Sequence, residues 1–266
     1  MFDIHTKKRI VIKLGTSTLT HRTGRLNIRR METLVKIISD LENTGLEIIL
    51  VSSGAIGLGM SKIGLTARPS ETSMKQACAA VGQVDLMYMY DKLFSEYGYK
   101  VGQILLTKYV IETPRKSNVL NTVEQLLKHK IIPIVNENDT VAIDELELEV
   151  GENDTLAAHI ALISKADLLI IMSDIEGLYN HDPNSDEGAL LIPVVAEISE
   201  DIVKAAGGAG SSLGTGGMAT KIKAAALTTE NGIDMAIING KKPQLLYDLF
   251  DGVNVGTVFT AKQEKI

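Results

Sequence analysis

Six stretches of the chain are apolar at nearly every position: Ile10–Leu14, Glu47–Ser52, Val101–Leu106, Ile131–Val135, Leu168–Ser173 and Asp234–Ile238. A strand with one face in water alternates polar and apolar residues, whereas one covered by helices on both faces reads as a continuous apolar run. These six therefore predict strands buried inside a layered fold. Helical spacing fills the gaps, over Arg30–Asn43, Ser73–Tyr97, Ser117–His129, Asn153–Lys165 and Met218–Asn231. Gly45, Gly98 and Gly232 follow three of these segments, where a left-handed residue commonly ends a helix. Strands alternating with helices predict an α/β fold, a three-layer αβα sandwich around a mostly parallel sheet with right-handed crossovers. One segment breaks the pattern. Thr140–Val150 alternates polar and apolar residues, which predicts a partly exposed β-hairpin flap. No repeat, low-complexity tract or Pro-rich linker divides the chain, so residues 1–266 are expected to form a single domain.

Composition narrows the function. The net charge of −6 argues against a duplex-binding protein, which would carry a basic face; no nucleic-acid partner is expected. The single cysteine, Cys78, cannot form an intramolecular disulfide, and its helical surroundings suit a buried small hydrophobe. The histidines are scattered without metal-ligand spacing, and His159 in its alanine-rich helix reads as packed or surface; no protein-built metal site is expected. The basic start MFDIHTKKRIVIKLG is too polar for a signal peptide, and no run of 18 apolar residues occurs. A cytoplasmic protein without membrane contact is the expectation.

In a parallel sheet, ligands sit beyond the carboxyl ends of the strands, so the residues there carry the chemistry. Lys13 interrupts the first apolar run; its ammonium must meet an anion or an opening, or else snorkel from an edge strand. Gly15 would let a ligand approach the backbone. The second run leads into Ser52-Ser53-Gly54-Ala55-Ile56-Gly57-Leu58-Gly59, small residues opening a helix, either an N–H anion site or a tight turn. The fourth leads into Asn136-Glu137-Asn138-Asp139, and Gly151-Glu152-Asn153-Asp154 follows the flap. Two such clusters suit a small zwitterionic substrate, or Mg²⁺, or simple helix capping by Asn153 or Asp154. After the fifth run come Ser173 and Asp174, then Ile175–Tyr179, a turn that either holds a nucleoside or packs Tyr179 inward. The glycine-rich 207–217 stretch opens a helix carrying Thr220 and Lys221, and favours a polyphosphate over a bare linker. It matches neither standard glycine fingerprint: no Gly-Lys-Ser/Thr is present, and a helix precedes it where a dinucleotide site needs a strand.

Together these segments resemble the amino acid kinase family, within it the branch acting on glutamate. The resemblance rests on VIKLGTSTLT (11–20), VSSGAIGLG (51–59), QACAAVGQ (76–83), VGQILLT (101–107), IPIVNENDTVA (132–142), GENDTLAA (151–158), SDIEGLY (173–179) and SSLGTGGMATKIKAA (211–225), in family order. It implies ATP-dependent phosphorylation of the glutamate side-chain carboxylate, with Mg²⁺ on the nucleotide. By resemblance, Lys13, Lys221 and Asp154 are the catalytic positions, Asp154 ordering the lysines. Ser53, Gly54, Asp139 and Asn153 are the substrate positions. Lys13, Ser173, Asp174, Thr215, Gly216, Gly217, Met218, Ala219, Thr220 and Lys221 are the ATP positions. Many family members carry a C-terminal RNA-binding-like PUA module; this chain stops soon after Phe259, so none is expected. A homo-oligomer is expected, with the broad 73–97 helix a place for its interface.

The implied chemistry needs no general base, since the attacking carboxylate is already ionised at neutral pH. Alignment and charge stabilisation then do the catalysis. Three rival readings remain: a kinase of the same fold for another carboxylate, carbamate or phosphate, a non-catalytic nucleotide-binding regulator, and, least favoured, a dehydrogenase.

Overall fold

The computed structural model describes residues 2–21, 23–141, 152–181, 183, 188–205 and 217–262. Its strands are β1 (Arg9–Leu14), β2 (Glu47–Val51), β3 (Lys100–Leu106), β4 (Ile131–Glu137), β5 (Leu168–Ser173), β6 (Val194–Val195), β7 (Asp234–Asn239) and β8 (Thr257–Phe259). They form one sheet in the order β3-β4-β2-β1-β5-β7-β8-β6. Every pairing is parallel except β7 with β8. The helices are α1 (Thr16–Leu19), α2 (Ile28–Asn43), α3 (Ala55–Ile63), α4 (Thr72–Ser95), α5 (Lys108–Glu112), α6 (Lys116–Lys128), α7 (Glu152–Ser164), α8 (Glu200–Ala205), α9 (Gly217–Glu230) and α10 (Leu245–Phe250).

Apart from β3, the apolar runs behave as expected. β1, β2, β5 and β7 are buried on both faces almost throughout. Alternate residues point to opposite faces, so Ile10, Ile12, Leu14, Ile48 and Leu50 meet Met31, Leu34, Tyr90 and Phe94 of α2 and α4. Val11, Ile49, Val51, Leu169 and Ile171 meet Val123, Ala157, Ile160, Ile222 and Ala225 of α6, α7 and α9 on the other side. This is the three-layer sandwich. Gly45, Gly98 and Gly232 all take positive φ, as the helix-ending reading requires.

The structure departs from the sequence reading in two places. β3 lies at the edge and is half exposed, not buried on both faces. The short β6 and β8 and helices α1, α5 and α10 were not anticipated, because segments of two to six residues carry too little periodicity to read. The expected flap falls almost wholly outside the described residues, with only Thr140 and Val141 inside.

Two glycines fix one packing contact that matters for the site. A Cβ on Gly59 of α3 would lie 1.8 Å from the Cys78 carbonyl oxygen, and one on Gly82 of α4 would lie 1.8 Å from that of Ala55. The two helices therefore touch backbone to backbone, which only glycine allows.

Candidate active site

Lys13 lies on β1 in phase with Val11, so its side chain leaves the sheet on the α7 face. β1 is central, between β2 and β5, which removes the edge-strand alternative. Lys13 is only 9% exposed, and its ammonium meets Asp154 Oδ1 at 2.6 Å. The other carboxylate oxygen, Oδ2, accepts from Lys221 Nζ at 3.1 Å and from Thr220 Oγ1 at 3.0 Å. Lys221 also donates to the Gly217 carbonyl at 2.9 Å, within the first turn of α9. Asp154 is 1% exposed and Lys221 6%. One buried carboxylate thus faces two buried ammoniums, leaving an excess of positive charge among these three.

The electrostatics follow from that count. Burial pushes the Lys13 ammonium below its ordinary range and Lys221 adds to this, while Asp154 pulls the other way without cancelling them. For Asp154 burial opposes ionisation most strongly, yet the two lysines together outweigh it and hold the carboxyl below its usual value. Neither Asp154 nor Asn153 acts as a helix cap, because α7 begins at Glu152 and both lie in its first turn.

A second group of polar residues spans the ends of β2 and β4. Asn153 Nδ2 donates to Ser53 Oγ at 2.6 Å, to the Ser52 carbonyl at 3.0 Å and to Asn136 Oδ1 at 3.3 Å. Asn136 Nδ2 in turn donates to Gln83 Oε1 of α4 at 2.9 Å. Ser52 Oγ lies 2.9 Å from the buried Tyr90 hydroxyl. Gly54 follows with φ +99°, a left-handed conformation that suits glycine, and opens α3. Helix α3 therefore presents its first N–H groups at this end of the sheet. Asp139 lies half-buried just beyond β4.

Ser173 and Asp174 end β5, with Ser173 Oγ donating to Asp174 Oδ1 at 3.3 Å. Asp174 is close enough to favour the charged form of Lys13. Glu176 beyond them accepts from Asn239 Nδ2 at 2.9 Å and Lys242 Nζ at 3.0 Å, while Tyr179 is half-buried in a bridge to Leu191. Gly217, Met218 and Ala219 form the first turn of α9; Thr215 and Gly216 lie outside the described residues. Gly15 has an ordinary φ of −71°. A Cβ there would meet the Met172 carbonyl oxygen at 3.4 Å and Lys13 Nζ at 3.8 Å. Cys78 is fully buried and His159 half-buried, as read from the sequence.

Sequence reasoning missed Gln83, and it placed Asn136 only within a polar cluster. The readable signal was Gly82 inside an otherwise helical segment, which marks a close backbone approach next to Gln83.

The sequence profile of the Amino acid kinase family matches residues 8–239, which spans the lysine pair, the strand-end amides and the β5 terminus. The chain belongs to the amino acid kinase family. Among curated relatives, the protein named Glutamate 5-kinase from Clostridium perfringens is 51% identical over 259 residues, 96% of each chain. Its namesake from Clostridium tetani is 53% identical over 255 residues, 96% of this chain and 95% of that one. Among solved structures, UMP kinase from Bacillus anthracis superposes with a TM-score of 0.63 at 16% identity, covering 97% of both chains. Isopentenyl phosphate kinase from T. acidophilum gives 0.61 at 16% identity, over 95% of this chain and all of that one. At such identity the likeness concerns the fold, and it agrees with the layered, mostly parallel sheet seen in this amino acid kinase. Among the described residues, no helix is long and apolar enough to cross a membrane.

Proposed function

We propose that this amino acid kinase transfers the γ-phosphoryl group of ATP to the side-chain carboxylate of L-glutamate, the first step of proline biosynthesis. Half identity to enzymes named glutamate 5-kinase, over nearly the whole chain, is the observation that carries the substrate. The buried Lys13–Asp154–Lys221 group supports the chemistry, since two ammoniums on one carboxylate leave a positive site for a polyphosphate.

A carboxylate oxygen of glutamate attacks the γ-phosphorus, the bond from that phosphorus to the β–γ bridging oxygen breaks, and ADP leaves with the electron pair. The product is L-glutamyl 5-phosphate. No proton has to move, because the nucleophile is ionised at neutral pH. What the chain supplies is alignment and charge. Lys13 and Lys221 approach the transferring group, and Asp154 fixes both by one contact each. Ser53, Gly54, Asp139 and Asn153 hold glutamate at the ends of β2 and β4 and the start of α7. Ser173, Asp174 and residues 215–221 hold ATP at the end of β5 and the start of α9, so one sheet carries both halves of the site, as a single 1–266 domain would. Mg²⁺ would arrive on the ATP phosphates. Among the described residues no group of three or more His, Cys, Asp or Glu is placed to hold a metal ion, and both oxygens of Asp154 already face lysines.

The enzyme is read as cytoplasmic and as an assembly of identical copies. Val84 and Tyr88, 67% and 63% exposed one turn apart on α4, support the second reading. Light scattering at assay concentration tests it, and a monomer there refutes it.

The deciding assay is coupled ADP release with glutamate, N-acetylglutamate, aspartate, carbamate and UMP offered separately. Glutamate is expected to be the preferred acceptor. ATP binding with no turnover, or preference for another acceptor, overturns the assignment.

A further inference from the structure

The amides that meet at the ends of β2 and β4 form a chain with a fixed direction. Asn136 falls in phase with Ile132 and Ile134, so it faces α4. Its Oδ1 accepts from the backbone N–H of Glu137 at 2.9 Å and from Asn153 Nδ2 at 3.3 Å, which requires that atom to be the oxygen. Its Nδ2 must then find an acceptor on the α4 side, and Gln83 Oε1 supplies it at 2.9 Å. Asn153, held from Asn136 in this way, reaches Ser53 Oγ at 2.6 Å. Gln83 thus stands at the root of a relay that ends on Ser53 Oγ.

Its own placement is unusually well determined. The preceding residue, Gly82, lies so close to Ala55 that a Cβ would come within 1.8 Å of that carbonyl oxygen, and Ala55 directly follows Ser53 and Gly54. Helix α4 is therefore locked to the Ser53–Gly54 turn at the residue before Gln83. Seven residues on, Tyr90 on the same helix face holds Ser52. The Gln83 side chain is 9% exposed, and its Nε2 is buried without a hydrogen-bond partner among the described residues, as is Asn153 Oδ1. A buried donor left open costs free energy. An apolar residue of similar length would avoid that cost, so the amide is accounted for by what its oxygen holds.

We propose that Gln83 is a positioning residue for the acceptor substrate: by fixing the Asn136 amide it sets Asn153 and Ser53, without itself touching glutamate. The inference rests on the glutamate-kinase reading of this site. Steady-state kinetics of the full chain, varying glutamate and ATP separately, test it. Gln83→Met, which removes the acceptor at constant length, is expected to raise KM for glutamate about tenfold while KM for ATP stays within twofold. In an Asn136→Ala background the same substitution should add nothing. Gln83→Glu keeps an oxygen towards Asn136 and should return KM for glutamate to within about threefold of the parent. If Gln83→Met gives no cooperative melt, Gln83→Asn, whose amide falls one methylene short, carries the same expectation. A glutamate KM within twofold of the parent in the substituted chain overturns the proposal, as does a rise shared equally by ATP. A parent chain that turns over no glutamate sinks the functional reading and this inference together, whereas normal parent turnover with unchanged variants sinks this inference alone.

Discussion

Lys13 Nζ and Asp154 Oδ1 meet at 2.6 Å, joining the central strand to the first turn of α7 inside the protein. Lys221 takes the second oxygen at 3.1 Å, so removing either lysine leaves a balanced one-to-one pair. Lys13→Ala and Lys221→Ala should therefore keep the fold, with Tm within a few degrees of the parent. Each deletes a charge aimed at the transferring phosphoryl group, and kcat is expected to fall by at least about a hundredfold. Turnover close to that of the parent in either variant would remove these lysines from the mechanism.

Asp154→Asn has the opposite balance, because it leaves two ammoniums buried with only the exposed Asp174 carboxylate nearby. Breaking a buried pair from one side costs about 3–5 kcal/mol, or a Tm lower by roughly 6–20 °C for a chain of this size. The pH dependence has a definite sign. Burial already holds the Lys13 pKa below its ordinary value, and losing Asp154 lowers it further. A lysine with a depressed folded pKa binds fewer protons folded than unfolded, so stability rises as pH climbs through the folded value towards 10.5. The Tm deficit of Asp154→Asn should shrink between pH 7 and pH 9. A deficit that grows over that range would contradict the charge balance described above.

Much of this could be read from sequence because burial writes itself into composition. β5 has the bounds that its apolar run predicts, and Lys13 stands out in the sequence as a charge no core strand should carry. The pairing itself is legible only through the family resemblance, which casts Asp154 as ordering the two lysines. Nothing local to Lys13 points to Asp154 or Lys221; the sheet brings β1, α7 and α9 together only through long-range packing. Two bland alternatives fell for the same reason. Lys13 cannot be an edge residue once β1 is central, and Asn153 cannot be a simple cap when its amide reaches Ser53. Gln83 carries no signal of its own as a polar residue in a helix, beyond its neighbour Gly82, since its meaning depends on which strand end α4 crosses.

Asn153 is the junction of the strand-end network, donating to Ser53, Ser52 and Asn136. Asn153→Ala would leave the Ser53 and Ser52 acceptors without this donor in half-buried surroundings, a loss of about 1–3 kcal/mol, while Asn136 Oδ1 keeps the Glu137 N–H. We expect KM for glutamate to rise by about ten- to a hundredfold, with ATP affinity unchanged by isothermal titration. An equal loss of ATP affinity would mean that the network organises the whole site and not only its acceptor side.

Gly59→Ala tests the helix contact that positions this network. The new methyl would lie 1.8 Å from the Cys78 carbonyl oxygen, which is backbone and cannot swing aside. Overpacking of this kind costs about 1–3 kcal/mol or more. The separation of α3 from α4 would also shift Ser53 and Gly54 relative to β4. Both Tm and glutamate KM are expected to worsen; a stable variant with parental kinetics would show that the two helices can part without consequence for the site.

Glu42 offers a test far from the chemistry. Burial pushes its carboxyl up to about 7, with Glu47 adding to this, while the hydrogen bond from the Ile48 N–H and the charge of Lys130 oppose it. The Ile48 N–H donates to Glu42 Oε1 at 2.7 Å, tying the last turns of α2 to the start of β2. An acid whose folded pKa is raised keeps its proton longer in the folded state. Its contribution is therefore greatest below the ordinary value of 4.5 and is lost as pH rises through about 7. A displacement of that size corresponds to about 3 kcal/mol at full burial, and screening by solvent at this half-buried side chain reduces it to about 1 kcal/mol. Glu42→Gln keeps the oxygen that receives Ile48 and removes the titration. The variant should match the parent at pH 5 and exceed its Tm by about 2–4 °C at pH 8. Equal melting temperatures at both pH values would show that Glu42 ionises in the folded chain as freely as it does in the unfolded one.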